Sequence, residues 1–278
     1  MPDAMGTLYL VSTPIGNLGD MTYRAVEVLS SAALVIAEDT RHSRRLLEHY
    51  QIKTPLRSYH EHNEAKETPS LVARLCAGDS IALISDAGTP LISDPGARLV
   101  AAALTAGVPV VPVPGASSVM AALVGSGMSL DRFTYVGFLP RRGSERTEMI
   151  DEIVASRMTT VVFEAANRVR ATLTDLLEAG AGERQAVVAR ELTKQFEEFK
   201  RGTVADLASA YAEADPKGEV VMVIAGADKA VVAESELSET ATTLRAAGKT
   251  PRDVMQHLVE TLGASRNVAY KIAHRSES

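Results

Sequence analysis

IALISDAGTPLISDPGARLVAAALTAGVPVVPVPGASSV, residues 81–119, decides the fold class. Ile81 to Ser85 is a short apolar run of strand character, and SDAGTPLISDPG at 85–96 then crowds together residues that break regular structure. Apolar residues recur at helical spacing over about 96–106, Gly107 closes that helix, and Val108 to Val113 is a second strand. PGASS at 114–118 turns the chain into another helix at about 116–124. Strand, crossover helix and strand in this order predict parallel pairing. Asp94 before Pro95 reads as an N-cap followed by a first-turn proline.

The same rhythm extends outward. Strands are predicted at Leu8 to Ser12 and Leu34 to Ala37, with helices at about 22–32, 41–49 and 64–77. Asp39 or Thr40 is placed to cap the helix that begins near Arg41. After a strand at Phe133 to Leu139, PRRGSER (140–146) marks a boundary whose arginines would line the region between domains. Strands follow at Thr159 to Glu164, Ala186 to Glu191, Glu197 to Gly202 and Val220 to Ala225, with helices at about 167–180 and 203–213. The two strands near 187 and 198 predict antiparallel pairing. Beyond Asp228 the pattern is helical, with Thr250 and Pro251 as another cap and first-turn proline. The expected organisation is an α/β domain over 1–135, an α+β domain over 136–228 and a helical extension over 229–278.

Composition narrows the class. With 46% hydrophobic and 23% charged residues the chain is neither disordered nor fibrous. A formal charge of −6 argues mildly against a nucleic-acid partner, so such a partner would need a local basic patch. The stretch from Arg245 onward, with Lys249, Arg252, Arg266, Lys271 and Arg275 against Asp253, Glu260 and Glu277, carries +3, which a solvated helix face explains equally well. The single Cys76, in the helical pattern LVARLC, reads as core packing rather than a nucleophile. A lone cysteine and no signal peptide before Leu8 predict a cytoplasmic protein, and the longest apolar runs are too short to span a membrane.

The Gly-x-Gly-x-x-Gly turn of a Rossmann cofactor enzyme is missing. Gly125-Ser126-Gly127 follows a helical pattern and lacks the third glycine. Instead TPIGN at 13–17, SDAGTPLISDPG and PGASS all sit where predicted strands end, the position of the ligand crevice in an open α/β sheet. Any one of them is an ordinary strand-to-helix turn; three together point to a binding site.

Those turns, with EDTRHSRRLL at 38–47, SYHEHNE at 58–64, VGFLPRRG at 136–143, VVFEAANRV at 161–169, RELTKQFEEFKRG at 190–202 and GEVVMVIAG at 218–226, closely resemble the ribosomal RNA small subunit methyltransferase I family, within the tetrapyrrole methylases. The sequence departs from that family at Asn167, where histidine is usual, and in a tail less rich in lysine. The resemblance implies an α/β, two-domain class III methyltransferase fold with a helical C-terminal extension, a homodimer, and S-adenosylmethionine held between the domains. It implies 2′-O-methylation of a cytidine ribose in the decoding region, with free small-subunit RNA or the assembled subunit as partner. Cofactor contacts carried over to matching positions are Pro14, Gly16, Asp86, Ala87, Gly88, Pro90, Ser117 and Ser118, completed by Phe163, Glu164 and Ala189.

Transfer to a ribose hydroxyl gains from a base. Candidates for catalysis are Glu38, Asp39, His60 and Lys194; Asp39 also reads as a helix cap, and Lys194 with Glu191 and Glu197 also as surface ion pairs. His60 and His62 lack the further ligands a metal site needs, so no metal is expected. Arg41, Arg44, Arg141 and Arg142 are candidate RNA contacts or solvated charge, and the family resemblance favours RNA. Two rivals stand beside this reading: methylation of a tetrapyrrole carbon, and a non-catalytic RNA-binding protein retaining the cofactor fold.

Overall fold

A computed structural model describes residues 5–227 and 234–274. Its first sheet is wholly parallel, in the order β3-β2-β4-β1-β5, from β1 (Leu8–Val11), β2 (Leu34–Ala37), β3 (Leu56–Ser58), β4 (Ile81–Ile84) and β5 (Val110–Val113). The linking helices are α1 (Tyr23–Ser31), α2 (Thr40–His49), α3 (Glu64–Cys76) and α4 (Ala97–Thr105), with α5 (Ser118–Ser126) leading out. Both faces of the sheet are covered, which is why its central strands β2 and β4 are unbroken apolar runs. Leu34, Ile36, Ile81 and Leu83 join one apolar cluster, while Val35, Ala37, Ala82 and Ile84 alternate into another.

Three expectations change here. Helix α4 starts at Ala97 with Gly96 as its N-cap, at φ 133°, so Asp94 and Pro95 lie in the preceding loop; a positive-φ glycine, not a capped proline, turns the chain into the helix. Cys76 is exposed at the end of α3 rather than packed in the core. β3 is an unpredicted strand, because LRS has no apolar run; pairing of Leu56 with Val35 creates it.

The second sheet runs β6-β7-β10-β8-β9, from β6 (Phe133–Phe138), β7 (Thr159–Ala165), β8 (Gln185–Arg190), β9 (Glu198–Thr203) and β10 (Glu219–Ile224). β6 and β7 are parallel, and the other neighbours, including the predicted β8–β9 pair, are antiparallel. α6 (Ser144–Ala155), α7 (Val169–Leu176) and α8 (Val204–Ala210) accompany it. α6 went unseen in the sequence because its buried positions, Arg146, Ile150 and Ile153, are interspersed with charge. The PRRG turn therefore joins β6 to α6 within one layer, and the change of sheet falls earlier, after α5 ends at left-handed Gly127. Val162, Val188 and Met222 face α6–α8, while Val161, Val187, Ala189 and Val223 face Ile15, Val119 and Leu123 of the first half. At roughly 1.5–3 kcal/mol for each large apolar side chain buried, that second cluster fixes α5 against the second sheet.

Among the described residues, those from 226 onward, with 155–158, form a separate compact unit. Within it α9 (Glu234–Ala246), α10 (Pro251–Glu260) and α11 (Arg266–Ala273) bury Leu237, Val254, Leu258 and Ile272. Thr250 and Asp253 form a capping box at α10, with Pro251 in the first turn as expected. Arg252, Arg266 and Lys271 are exposed; Arg275 and Glu277 of the expected basic stretch lie outside the described residues. No described helix is long and apolar enough to cross a membrane.

Candidate active site

The C-terminal ends of β1, β4 and β5 carry the three Gly/Pro turns, and hydrogen bonds tie them together. Thr13 and Gly88 exchange backbone hydrogen bonds of 2.8 and 3.0 Å. Thr13 Oγ1 donates to the Ser85 carbonyl (3.1 Å) and Ser85 Oγ to that of Gly88 (3.0 Å). Thr89 Oγ1 accepts from Ser12 Oγ and donates to the Ala116 carbonyl, each at 3.3 Å. Ser117 caps α5 by accepting from the Met120 amide.

These turns form one wall of a cavity of about 480 Å³, and the ends of β7 and β10 form another. Of the expected cofactor contacts, Asp86, Ala87, Gly88, Ser117, Ser118, Phe163 and Glu164 line it. Pro14, Gly16, Pro90 and Ala189 do not. Pro14 and Pro90 are buried supports of the turns, and Gly16 lies against the stem of Lys194. Ala189 is fully buried in the apolar cluster between α5 and the second sheet. Sequence reading missed Ile15, Thr89, Ile92, Ser93, Asp94, Leu192 and Gly218 to Val221. The GEVV run was visible, but an antiparallel pairing across the chain is what brings it to the cleft.

The period of a strand divides Phe163 from Glu164. Phe163 points to the cleft side, its ring edge-on to Tyr135 and Phe138 at centroid distances of 5.1 and 5.4 Å. The Glu164 carboxylate is fully buried and accepts from Thr172 Oγ1 (2.6 Å) and its neighbour's amide (2.9 Å), with Arg168 Nε at 3.3 Å. It is thus a structural anchor that presents its backbone to the cavity.

Acidic groups gather at the same strand ends. Asp86 Oδ1 accepts from the Asp39 amide (3.1 Å). Burial, then the charges of Glu38 and Asp86, raise the Asp94 carboxyl to about 6, against a partial lowering by a Ser85 hydrogen bond. Burial and Asp86 likewise raise Glu38, while His60 pulls it down. His60 is anchored by its amide to Asn63 Oδ1 (2.8 Å), and its Nδ1 is buried with no hydrogen-bond partner among the described residues. Asp94, read from sequence as a helix cap, is instead a cavity-lining carboxylate with an affinity for protons near neutrality.

The other candidates occupy different surroundings. Asp39 caps α2 and grips Arg41 through Oδ2–Nη2 at 3.0 Å, which holds its carboxyl down at about 2. Lys194 Nζ is bound to Glu191 (2.9 Å) and Glu219 (3.0 Å), a pairing that raises its pKa against the effect of burial. Glu191, at φ 50°, is also the reason for Gly218: a Cβ there would lie 2.3 Å from Glu191 Oε1, at φ 91°. Arg44, Arg141 and Arg142 are exposed; the latter two and Asn167 line a second cavity of about 1160 Å³. No group of three or more His, Cys, Asp or Glu able to hold a metal occurs among the described residues.

Residues 7–208 match the tetrapyrrole (corrin/porphyrin) methylases. A protein of Synechocystis sp. named ribosomal RNA small subunit methyltransferase I is 46% identical over 277 residues, 99% of each chain. The protein of that name from Mesorhizobium japonicum is 47% identical over 222 residues, 80% of this chain and 76% of the relative. The fold is that of uroporphyrin-III C-methyltransferase from Thermus thermophilus, with TM-score 0.57 and 23% identity over 79% of this chain and 94% of that one. A structure of the enzyme from the same organism complexed with S-adenyl homocysteine also gives TM-score 0.57, with 17% identity over 79% of this chain and 97% of that one. By sequence and by fold, the chain belongs to the tetrapyrrole methylase family and, within it, to the ribosomal RNA small subunit methyltransferase I family.

Proposed function

We propose that the protein transfers the methyl group of S-adenosylmethionine to the 2′-oxygen of a cytidine ribose in the decoding region of small-subunit ribosomal RNA. The observation that carries this reading is the cavity walled by three stitched turns and the second sheet, in a chain whose relatives bear the name of that rRNA methyltransferase.

The donor set suits that cofactor. Asp86 complements its cationic groups, the Ser117 and Ser118 hydroxyls its polar edges, and Ile15, Phe163 and Val221 its adenine. Bound there, it supplies an electrophilic methyl on a good leaving group, so alignment of the attacking oxygen can contribute about 7–11 kcal/mol. Asp94 lines the cavity and is tuned towards neutral pH, which makes it the best-placed acceptor of the ribose hydroxyl proton; Glu38 and His60 stand behind it as alternatives. Lys194, locked between two carboxylates, orients the β8–β9 loop against Gly16 rather than exchanging protons.

Arg44, Arg141 and Arg142 are the RNA contacts of this reading; Arg41 joins them with its charge already shared with Asp39. The functional division follows the two sheets and the helical unit, with the change of sheet near 127 rather than 135 and the helical extension after 228. Exposed Leu104, Val111, Met120 and Val124, from α4, β5 and α5, support a homodimer, which light scattering would weigh directly. A cytoplasmic location follows from a ribosomal substrate.

The deciding experiment incubates the protein with labelled S-adenosylmethionine and small subunits lacking the modification, then maps the label by nuclease digestion and mass spectrometry. Label on a cytidine ribose of the decoding region supports the reading. Cofactor binding without transfer to RNA refutes it and directs attention to tetrapyrrole acceptors.

A further inference from the structure

The larger cavity is too big for one small ligand, whose pockets run to roughly 300–1,000 Å³, and it shares Phe138 and Ala165 with the cofactor cavity. Phe138 ends β6 and is 56% exposed at the meeting point of the two cavities. One flank of the ring rests edge-on against Phe163. Phe163 in turn meets Tyr135, whose hydroxyl shares a 2.7 Å hydrogen bond with Ser93 of the cofactor turn. The ring is therefore braced from behind and open in front. Arg141 and Arg142 follow it closely in sequence and are exposed. Arg146 and Arg168 of the same cavity, by contrast, are held by Asp175, Glu164 and backbone carbonyls.

Resting on the rRNA reading above, we propose that this second cavity is the substrate subsite, in which Phe138 stacks on the base of the nucleotide to be methylated while Arg141 and Arg142 hold the adjoining phosphates. An exposed braced ring suits a base taken out of its stack, since every base has a π face. Arginine forks beside it suit phosphate oxygens. Asp151, Asp175 and Glu178 also line the cavity; they repel phosphate and confine the backbone to the arginine rim. The base then lies beside the cofactor cavity, which brings its own ribose to the shared wall.

The chain contains no tryptophan, so Phe138→Trp installs a single reporter at the proposed contact. Saturating small-subunit RNA should quench its emission. Phe138→Leu, which keeps apolar bulk without a π face, should lower kcat/KM for subunits on the order of 10- to 100-fold, a larger fall than any it causes in S-adenosylhomocysteine affinity. The double variant Arg141→Ala, Arg142→Ala should reduce the salt dependence of RNA binding by about two phosphate contacts. Unchanged kcat/KM in Phe138→Leu, or unquenched emission from Phe138→Trp on RNA that filter binding shows to be bound, overturns the subsite while leaving the rRNA reading intact. Failure of the wild-type protein to bind or methylate the RNA overturns both.

Discussion

Replacing Asp94 by Asn tests whether the cleft carboxylate is as unfavourably placed as its surroundings imply. Its carboxyl moves from 3.8 to about 6, about two units, each worth ~1.4 kcal/mol, or roughly 3 kcal/mol in all. The group keeps partial contact with solvent, and screening reduces this to about 1–2 kcal/mol. Because the folded-state pKa is raised, the native protein binds the proton more tightly than the unfolded chain. That contribution is complete below pH 3.8 and is lost as pH rises through about 6. Above pH 6 the ionised group therefore destabilises the native state, and Asp94→Asn removes the cost. Urea unfolding followed by circular dichroism should show the variant more stable than wild type by about 1–2 kcal/mol at pH 8, with the difference gone near pH 4. Methylation should move the other way, falling by on the order of 10²- to 10⁴-fold if Asp94 is the base, with loss of the acidic limb of the kcat/KM profile near pH 6. An equal stability difference at pH 4 and pH 8, or a less stable variant at pH 8, would refute the electrostatic argument.

Glu164→Gln should destabilise the second sheet by about 3 kcal/mol, since it strips charge from a buried carboxylate facing Arg168 and Arg146; chemical denaturation at pH 7 measures it. Gly218→Ala must displace the Glu191 carboxylate and with it the Lys194 pairing, so calorimetry should show S-adenosylhomocysteine binding weakened about tenfold or more. Asp39→Asn should leave the α2 cap in place but release Arg41, so that RNA binding becomes slightly tighter at low salt and unchanged at high salt. Filter binding at two ionic strengths distinguishes these cases.

Much of the architecture was legible in the chain. Unbroken apolar runs such as Ile81–Ile84 announced strands buried on both faces, and glycines and prolines after them marked the crevice end of the sheet. Thr250 with Pro251, Asp39 before Arg41 and the β8–β9 pair also followed from local chemistry. What local chemistry did not contain was anything set by distant pairing. LRS became a strand because β2 offered it an edge, and GEVV became a cavity wall because β10 inserts between β7 and β8. Asp94 beside Pro95 has the sequence of a helix start, yet burial beside Glu38 and Asp86 makes it an acid poised near neutrality. Neighbours in sequence determine turns, caps and periodicity; the field at a carboxylate and the opening of a cavity depend on residues far along the chain, which the tertiary fold alone brings within range.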